Sequence, residues 1–66
     1  MSTIGKNIKR LRQEKELSQD KLSKLADLSL NTVVKLELDE SPNQTIETIQ
    51  KIAKALGVSV DDLLKK

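Results

Sequence analysis

Apolar side chains recur along the chain at spacings of three and four and nowhere alternate long enough to suggest a strand. Ile4, Ile8 and Leu11 trace one face of a first helix, with bases on its other faces and Ser2 or Thr3 available as N-cap. Leu17 follows that helix and can fold back onto its stripe. Ser18 reads as the N-cap of a second helix, with Asp20 in the first turn, where the helix dipole favours negative charge. Leu22, Leu25 and Ala26 form its apolar face. Ser29 caps a third helix whose inward positions are Val33 and Leu36. Asp39 to Gln44 (DESPNQ) is the one turn-rich stretch, and Pro42 forbids a helix running through it. Thr45 caps a fourth helix carrying Ile46, Ile49, Ile52, Ala53 and Leu56 on one side. Gly57 stands where a left-handed C-cap belongs, and Ser59 caps a short last helix containing Leu63 and Leu64. The pattern predicts an all-α fold of five helices in a single domain, residues 1–66, without repeat, linker or low-complexity stretch.

Helices this short do not stand alone in water, so they must share one core. The join between the second and third is the informative one. Only Asp27 and Leu28 separate the end of one helix from the N-cap of the next, and so short a connection favours a steep crossing over an antiparallel hairpin. That is the geometry of a helix-turn-helix, here about residues 18–37, whose second helix is presented outward for a DNA major groove.

Composition narrows the chemistry. The 66 residues are 36% apolar and 33% charged, with no aromatic, cysteine or histidine. A chain of this size buries only about 60% of its unfolded surface, and its core must be built from aliphatic side chains. Without cysteine there is no disulfide, thiol nucleophile or thiolate metal site, and without histidine the usual zinc ligand and neutral-pH general base are missing. No metal or other cofactor is expected. Ser18, Ser29, Ser41 and Ser59 have no histidine to activate them. Asp61 and Asp62 are better explained by the dipole of the last helix than as a catalytic pair. Gly5 and Gly57 are the only glycines, too few for a phosphate-cradling loop. An enzyme is therefore not expected. The absence of base-stacking aromatics argues against an RNA or single-strand binder. No apolar run is long enough for a membrane span or signal peptide, which suggests a cytoplasmic protein.

The net charge of +2 conceals a strong asymmetry. Residues 1–24 carry seven bases and three acids, residues 25–50 one base and five acids, and residues 51–66 four bases and two acids. An anionic partner is thus expected at the N-terminal part; an unevenly charged, solvated surface is the alternative reading of the same feature.

The run Gln19 to Glu37, QDKLSKLADLSLNTVVKLE, resembles the helix-turn-helix of the Cro and phage-repressor (XRE-like) family, whose pattern reads roughly Q-x-x-L-A-x-x-A-G-V-S-x-x-T-I-S-x-x-E. Gln19, Leu22, Ala26, Leu28, Ser29, Thr32, Val33, Leu36 and Glu37 stand at matching positions. IQKIAKALGVSVDDLL, Ile49 to Leu64, is similar to the family's fourth and fifth helices, and IGKNIKRLRQEKELSQ to its first. The resemblance implies a five-helix, lambda-repressor-like DNA-binding domain.

It also implies roles. Gln19 corresponds to the family's phosphate clamp, a donor amide at the start of the second helix. Ser18, Lys21 and Lys24 join it as candidate phosphate contacts, with plain capping the alternative for Ser18. Leu30, Asn31, Val34 and Lys35 fall on the outward face of the third helix. Asn can read adenine, Lys can donate to guanine, and Leu or Val can pack on a thymine methyl. Lys35 could equally be a solvated lysine, and the two apolar residues a protein contact. Arg12 and Glu37 match a partly buried salt bridge between the first and third helices, against the alternative of two unrelated surface charges. Val58, Val60, Leu63 and Leu64 lie where the family usually forms its dimer contact.

Three features depart from the pattern. Ser23 stands in place of Ala. Asp27 stands in place of the turn Gly, a position Asp tolerates because it adopts left-handed backbone more readily than most residues. Leu38, Asp39 and Glu40 replace a segment that in the family is often basic or glycine-containing, and the acids there oppose DNA. The expectation is a sequence-specific double-stranded DNA-binding regulator, a repressor acting as a homodimer. The alternative is a protein-interaction module of the same fold, such as an antitoxin or anti-sigma-like partner, that grips another protein through Leu30, Val34 and Leu38.

Overall fold

The computed structural model describes residues 3–38 and 45–65. They form α1 (Thr3–Glu14), α2 (Gln19–Leu25), α3 (Leu30–Glu37), α4 (Ile46–Leu56) and α5 (Val60–Leu64). No strand occurs among the described residues. Ser2 as a cap of α1, the DESPNQ turn and the acids Asp39 and Glu40 lie outside them.

Three of the connections share one construction. Glu16, Asp27 and Gly57 each adopt left-handed backbone, with φ of 57°, 57° and 70°. At each, two hydrogen bonds close the end of the preceding helix: Leu17 N to Arg12 O and Glu16 N to Gln13 O; Leu28 N to Ser23 O and Asp27 N to Lys24 O; Val58 N to Ala53 O and Gly57 N to Lys54 O. This is the Schellman pattern, which satisfies carbonyls the helix itself leaves without partners. The next residue, Leu17, Leu28 or Val58, turns its side chain back onto the core. A serine then caps the following helix: Ser18 accepts from Lys21 N, Ser29 from Thr32 N and Ser59 from Asp62 N. The chain therefore does contain a short recurrence, Glu-Leu-Ser, Asp-Leu-Ser and Gly-Val-Ser. It is hidden because its first position is defined by backbone conformation rather than residue type.

The core consists of Ile8, Leu22, Ala26, Val33, Leu36, Ile49, Ile52, Ala53, Leu56 and Leu63, with Ile4, Leu11, Leu17, Leu28, Ala55, Val58 and Val60 packed around it. All five helices contribute. Two expected core positions fall outside it. Leu25 is 52% exposed and Ile46 69% exposed. Along α2 and its C-cap residue the buried side chains are Leu22, Ser23 and Ala26. At about 100° per residue, that stripe is centred on Ala26, which leaves Leu25 about 100° to one side. Ser23 is accommodated because its hydroxyl donates to Asp20 O at 2.6 Å. Ile46 is the first residue of α4, at the margin of its stripe.

Two local details, one polar and one steric, set how α1 sits against the other elements. Buried Asn7 on α1 donates from Nδ2 to Leu63 O at 2.8 Å and Lys65 O at 2.6 Å, tying α1 to the end of α5. Gly5 allows α1 to approach α3 closely, since a Cβ there would sit 2.7 Å from Leu36 O and 3.0 Å from Glu37 O.

Candidate nucleic-acid interface

The α2–α3 pair is held from its inner side, and α3 is held at both ends. At its start, the Ser29 hydroxyl accepts from Thr32 N at 3.1 Å and bonds the Thr32 hydroxyl at 2.7 Å. Val33 and Leu36 anchor its inner face in the core. At its end, Glu37 is gripped from two other helices. The Arg12 guanidinium meets the Glu37 carboxylate with Nε to Oε2 at 2.7 Å and Nη2 to Oε1 at 3.1 Å. Its remaining arm, Nη1, donates to Leu17 O at 2.7 Å, fastening the α1–α2 connection to the same group. The side chains are 12% and 3% exposed, so this is the partly buried pair expected from the placement of Arg12 and Glu37. Gln19 of α2 completes the cluster, its Nε2 donating to Glu37 Oε1 at 3.2 Å. No buried side-chain nitrogen or oxygen among the described residues lacks a partner.

Outward from this scaffold, Leu30, Asn31 and Lys35 are exposed and Val34 is half-buried. These are the four residues expected on the outer face of α3. The candidate phosphate contacts are distributed differently. Ser18 is exposed and serves as a helix cap. Gln19 is half-buried with one N–H directed at Glu37. Lys21 is exposed, whereas Lys24 pairs with Asp20 at 3.2 Å and Arg10 on α1 with Glu14 at 3.1 Å. Exposed pairs of this kind are worth little, so Lys24 and Arg10 can exchange a carboxylate for a phosphate at small cost.

The expected dimer residues separate into three kinds. Leu63 is a correction: it is completely buried in the core of its own chain and offers no surface to a partner. Its position on a five-residue helix packed against α1 and α4 explains this, since one side of so short an element must serve the core. Val58 and Val60 are half-buried against that core. Leu64 alone is open, at 50% exposure. Beside it, Asp62 closes a capping box with Ser59. Its carboxyl is held below the ordinary value by the Ser59 backbone N–H, the Lys65 ammonium and the Ser59 hydroxyl.

Sequence reasoning missed Asn7, Gly5 and Glu16. Asn7 and Gly5 carried a signal of sorts, a polar residue beside the Ile8 stripe and a glycine inside a helix. Glu16 carried none beyond its place after a helix.

Five short helices, with the second and third joined by a tight left-handed turn and an outward third helix, define an all-α helix-turn-helix protein. The helix-turn-helix family's sequence profile matches residues 8–63, and the chain belongs to this family. It is 34% identical over 62 residues to the immunity repressor protein of Bacillus phage phi105, covering 94% of this chain and 42% of that one. Among solved structures it resembles a chain of the SinR protein/SinI protein complex with a TM-score of 0.89 and 32% identity, covering 96% of this chain and 61% of that chain. Apo-HppE matches with a TM-score of 0.86 at 23% identity, over 97% of this chain and 35% of that one, a likeness of fold alone. The chain thus spans less than two thirds of these relatives. No described helix is long and apolar enough to cross a membrane.

Proposed function

We propose that this chain binds double-stranded DNA in a sequence-specific manner and regulates transcription as a repressor, working as a homodimer in the cytoplasm. The observation that carries the reading is the division of α3. Its inner face and both ends are committed to the fold, while Leu30, Asn31 and Lys35 stand exposed with the chemistry that reads base edges. Family membership and the similarity to a phage immunity repressor support the same conclusion. Gln19 and Lys21 on α2, with Lys24 released from Asp20, contact the backbone. The dimer contact uses Leu64 and the exposed parts of Val58 and Val60.

Selection from random-sequence duplexes, followed by titration at several salt concentrations, tests this. Gln19→Ala weakens binding to all sequences by a similar factor, whereas Lys35→Ala costs about 1–3 kcal/mol on the selected site and relaxes preference at one position. With log K falling by about 0.9 per log salt for each neutralised phosphate, the few available bases give a shallow slope of about 3–5 per monomer. Footprints show two half-sites about 34 Å apart. A second reading, docking of a protein on α3, is favoured by the exposure of Leu30 and Leu38. Absence of salt-dependent DNA binding, together with loss of a protein partner on Leu30→Lys, establishes that reading instead.

A further inference from the structure

Glu37 is the point at which α1, α2 and α3 meet through polar atoms. Its Oε2 accepts from Arg12 Nε, and its Oε1 accepts from both Arg12 Nη2 and Gln19 Nε2. The two Arg12 bonds fix the plane of the carboxylate, because a guanidinium fork and a carboxylate form two parallel bonds only when they are coplanar and meet edge to edge. An ionised carboxylate only accepts hydrogen bonds. The Gln19 atom facing it must therefore be the amide nitrogen, since a flipped amide would set a carbonyl oxygen against a carboxylate oxygen. One N–H of Gln19 is thus committed inward, and the half-buried side chain has its second N–H left over.

We propose that Glu37 is a positioning residue for DNA: by holding one amide N–H of Gln19, it fixes the other N–H, rather than the carbonyl oxygen, toward a backbone phosphate. The proposal rests on the reading of Gln19 as a phosphate contact. An amide free to turn presents acceptor and donor alike, and the acceptor repels phosphate. An amide already turned also loses less freedom on binding. Arg12 acts one step further back, holding the carboxylate that holds Gln19.

The test is a double-mutant cycle of Glu37→Gln and Gln19→Ala, read as affinity for a labelled random-sequence duplex well below the melting temperature of each variant. Gln19→Ala weakens binding about tenfold, equivalent to ~1.4 kcal/mol. Glu37→Gln produces a loss of similar size, which disappears to within about twofold when Gln19 is already Ala. A purely structural Glu37 leaves the two losses additive, and that result overturns the proposal. If Gln19→Ala weakens binding but Glu37→Gln does not, positioning fails while the phosphate contact stands. If Gln19→Ala changes nothing, the phosphate contact itself fails and positioning falls with it. A second measurement needs no variant. In wild type, one side-chain amide proton of Gln19 exchanges slowly by NMR, and the other shifts when duplex is added. Equal, rapid exchange of both protons in the free protein overturns the proposal.

Discussion

Three helix ends with one construction but different residues at the left-handed position allow backbone strain to be measured within a single fold. Glu16, Asp27 and Gly57 have φ of 57°, 57° and 70° and equivalent closing hydrogen bonds. Left-handed backbone costs a non-glycine residue roughly 1–2 kcal/mol, and Asp less than Glu because its short side chain tolerates that conformation. Glycine relieves this strain but adds freedom to the unfolded chain, which offsets part of the gain. Glu16→Gly should therefore stabilise by about 0.5–1 kcal/mol, and Asp27→Gly by less. For a domain of this size, 1 kcal/mol moves the melting temperature by about 4–8 °C. Gly57→Ala supplies the reverse experiment. A Cβ at Gly57 meets nothing within 4 Å, so any loss there is conformational and should be about 1 kcal/mol. Gly5→Ala is the contrasting case, where the backbone is ordinary but the Cβ would press on Leu36 O at 2.7 Å. Helices α1 and α3 must part, at a cost of about 1–3 kcal/mol. Thermal and urea melts of the four variants read these differences. A neutral Gly57→Ala together with a destabilising Glu16→Gly would refute the strain argument.

Two further outcomes follow from the polar contacts. Arg12→Ala should destabilise by about 3 kcal/mol by stranding the Glu37 carboxylate, and replacing both partners with apolar residues should cost less than the two single losses added; additive losses in thermal melts would contradict the contact. The lowered carboxyl of Asp62, bonded first to the Ser59 N–H, stabilises the fold above the ordinary carboxylate value of 3.8 and ceases to as pH falls through its folded value. Melting temperatures of wild type and Asp62→Asn should accordingly converge in strong acid, and a gap that persists there would show that the charge of Asp62 is not the cause.

Much of the fold could be read from the chain because its core is aliphatic and its last four helices each begin at a serine or threonine cap. Ile8, Leu22, Val33, Leu36, Ile52 and Leu56 declare their inward direction by spacing alone. Leu25 misled because on a two-turn helix three apolar residues do not define a direction; buried Ser23, which spacing ignores, shifts the stripe away from it. Leu63 misled for the opposite reason, since an apolar pair on a short last helix does not reveal which member faces inward. The outer face of α3 was legible as the complement of Val33 and Leu36. The Gln19–Glu37 contact was not, because it joins residues 18 apart through side chains that no local pattern couples.

The shortness of the α2–α3 join does not by itself distinguish this pair, since α1–α2 and α4–α5 are joined by the same three-residue device. What sets α3 apart is how it is held. Gly5 lets α1 lie against its last turn, Arg12 clamps Glu37, Ser29 and Thr32 close its start, and Val33 and Leu36 fill the core. Each of these contacts acts on the inner face or on an end. They fix where α3 lies, while Leu30, Asn31 and Lys35 carry no internal duty among the described contacts. A surface that reads base edges needs both conditions, because side chains on a mobile helix would lose the geometry that discriminates one base pair from another. Asp27, a residue under backbone strain at the turn itself, is therefore a position where relief of strain and the proposed DNA recognition can be separated. Asp27→Gly should raise stability while leaving the order of preferred duplexes unchanged, because the orientation of α3 is set by the contacts at its own ends.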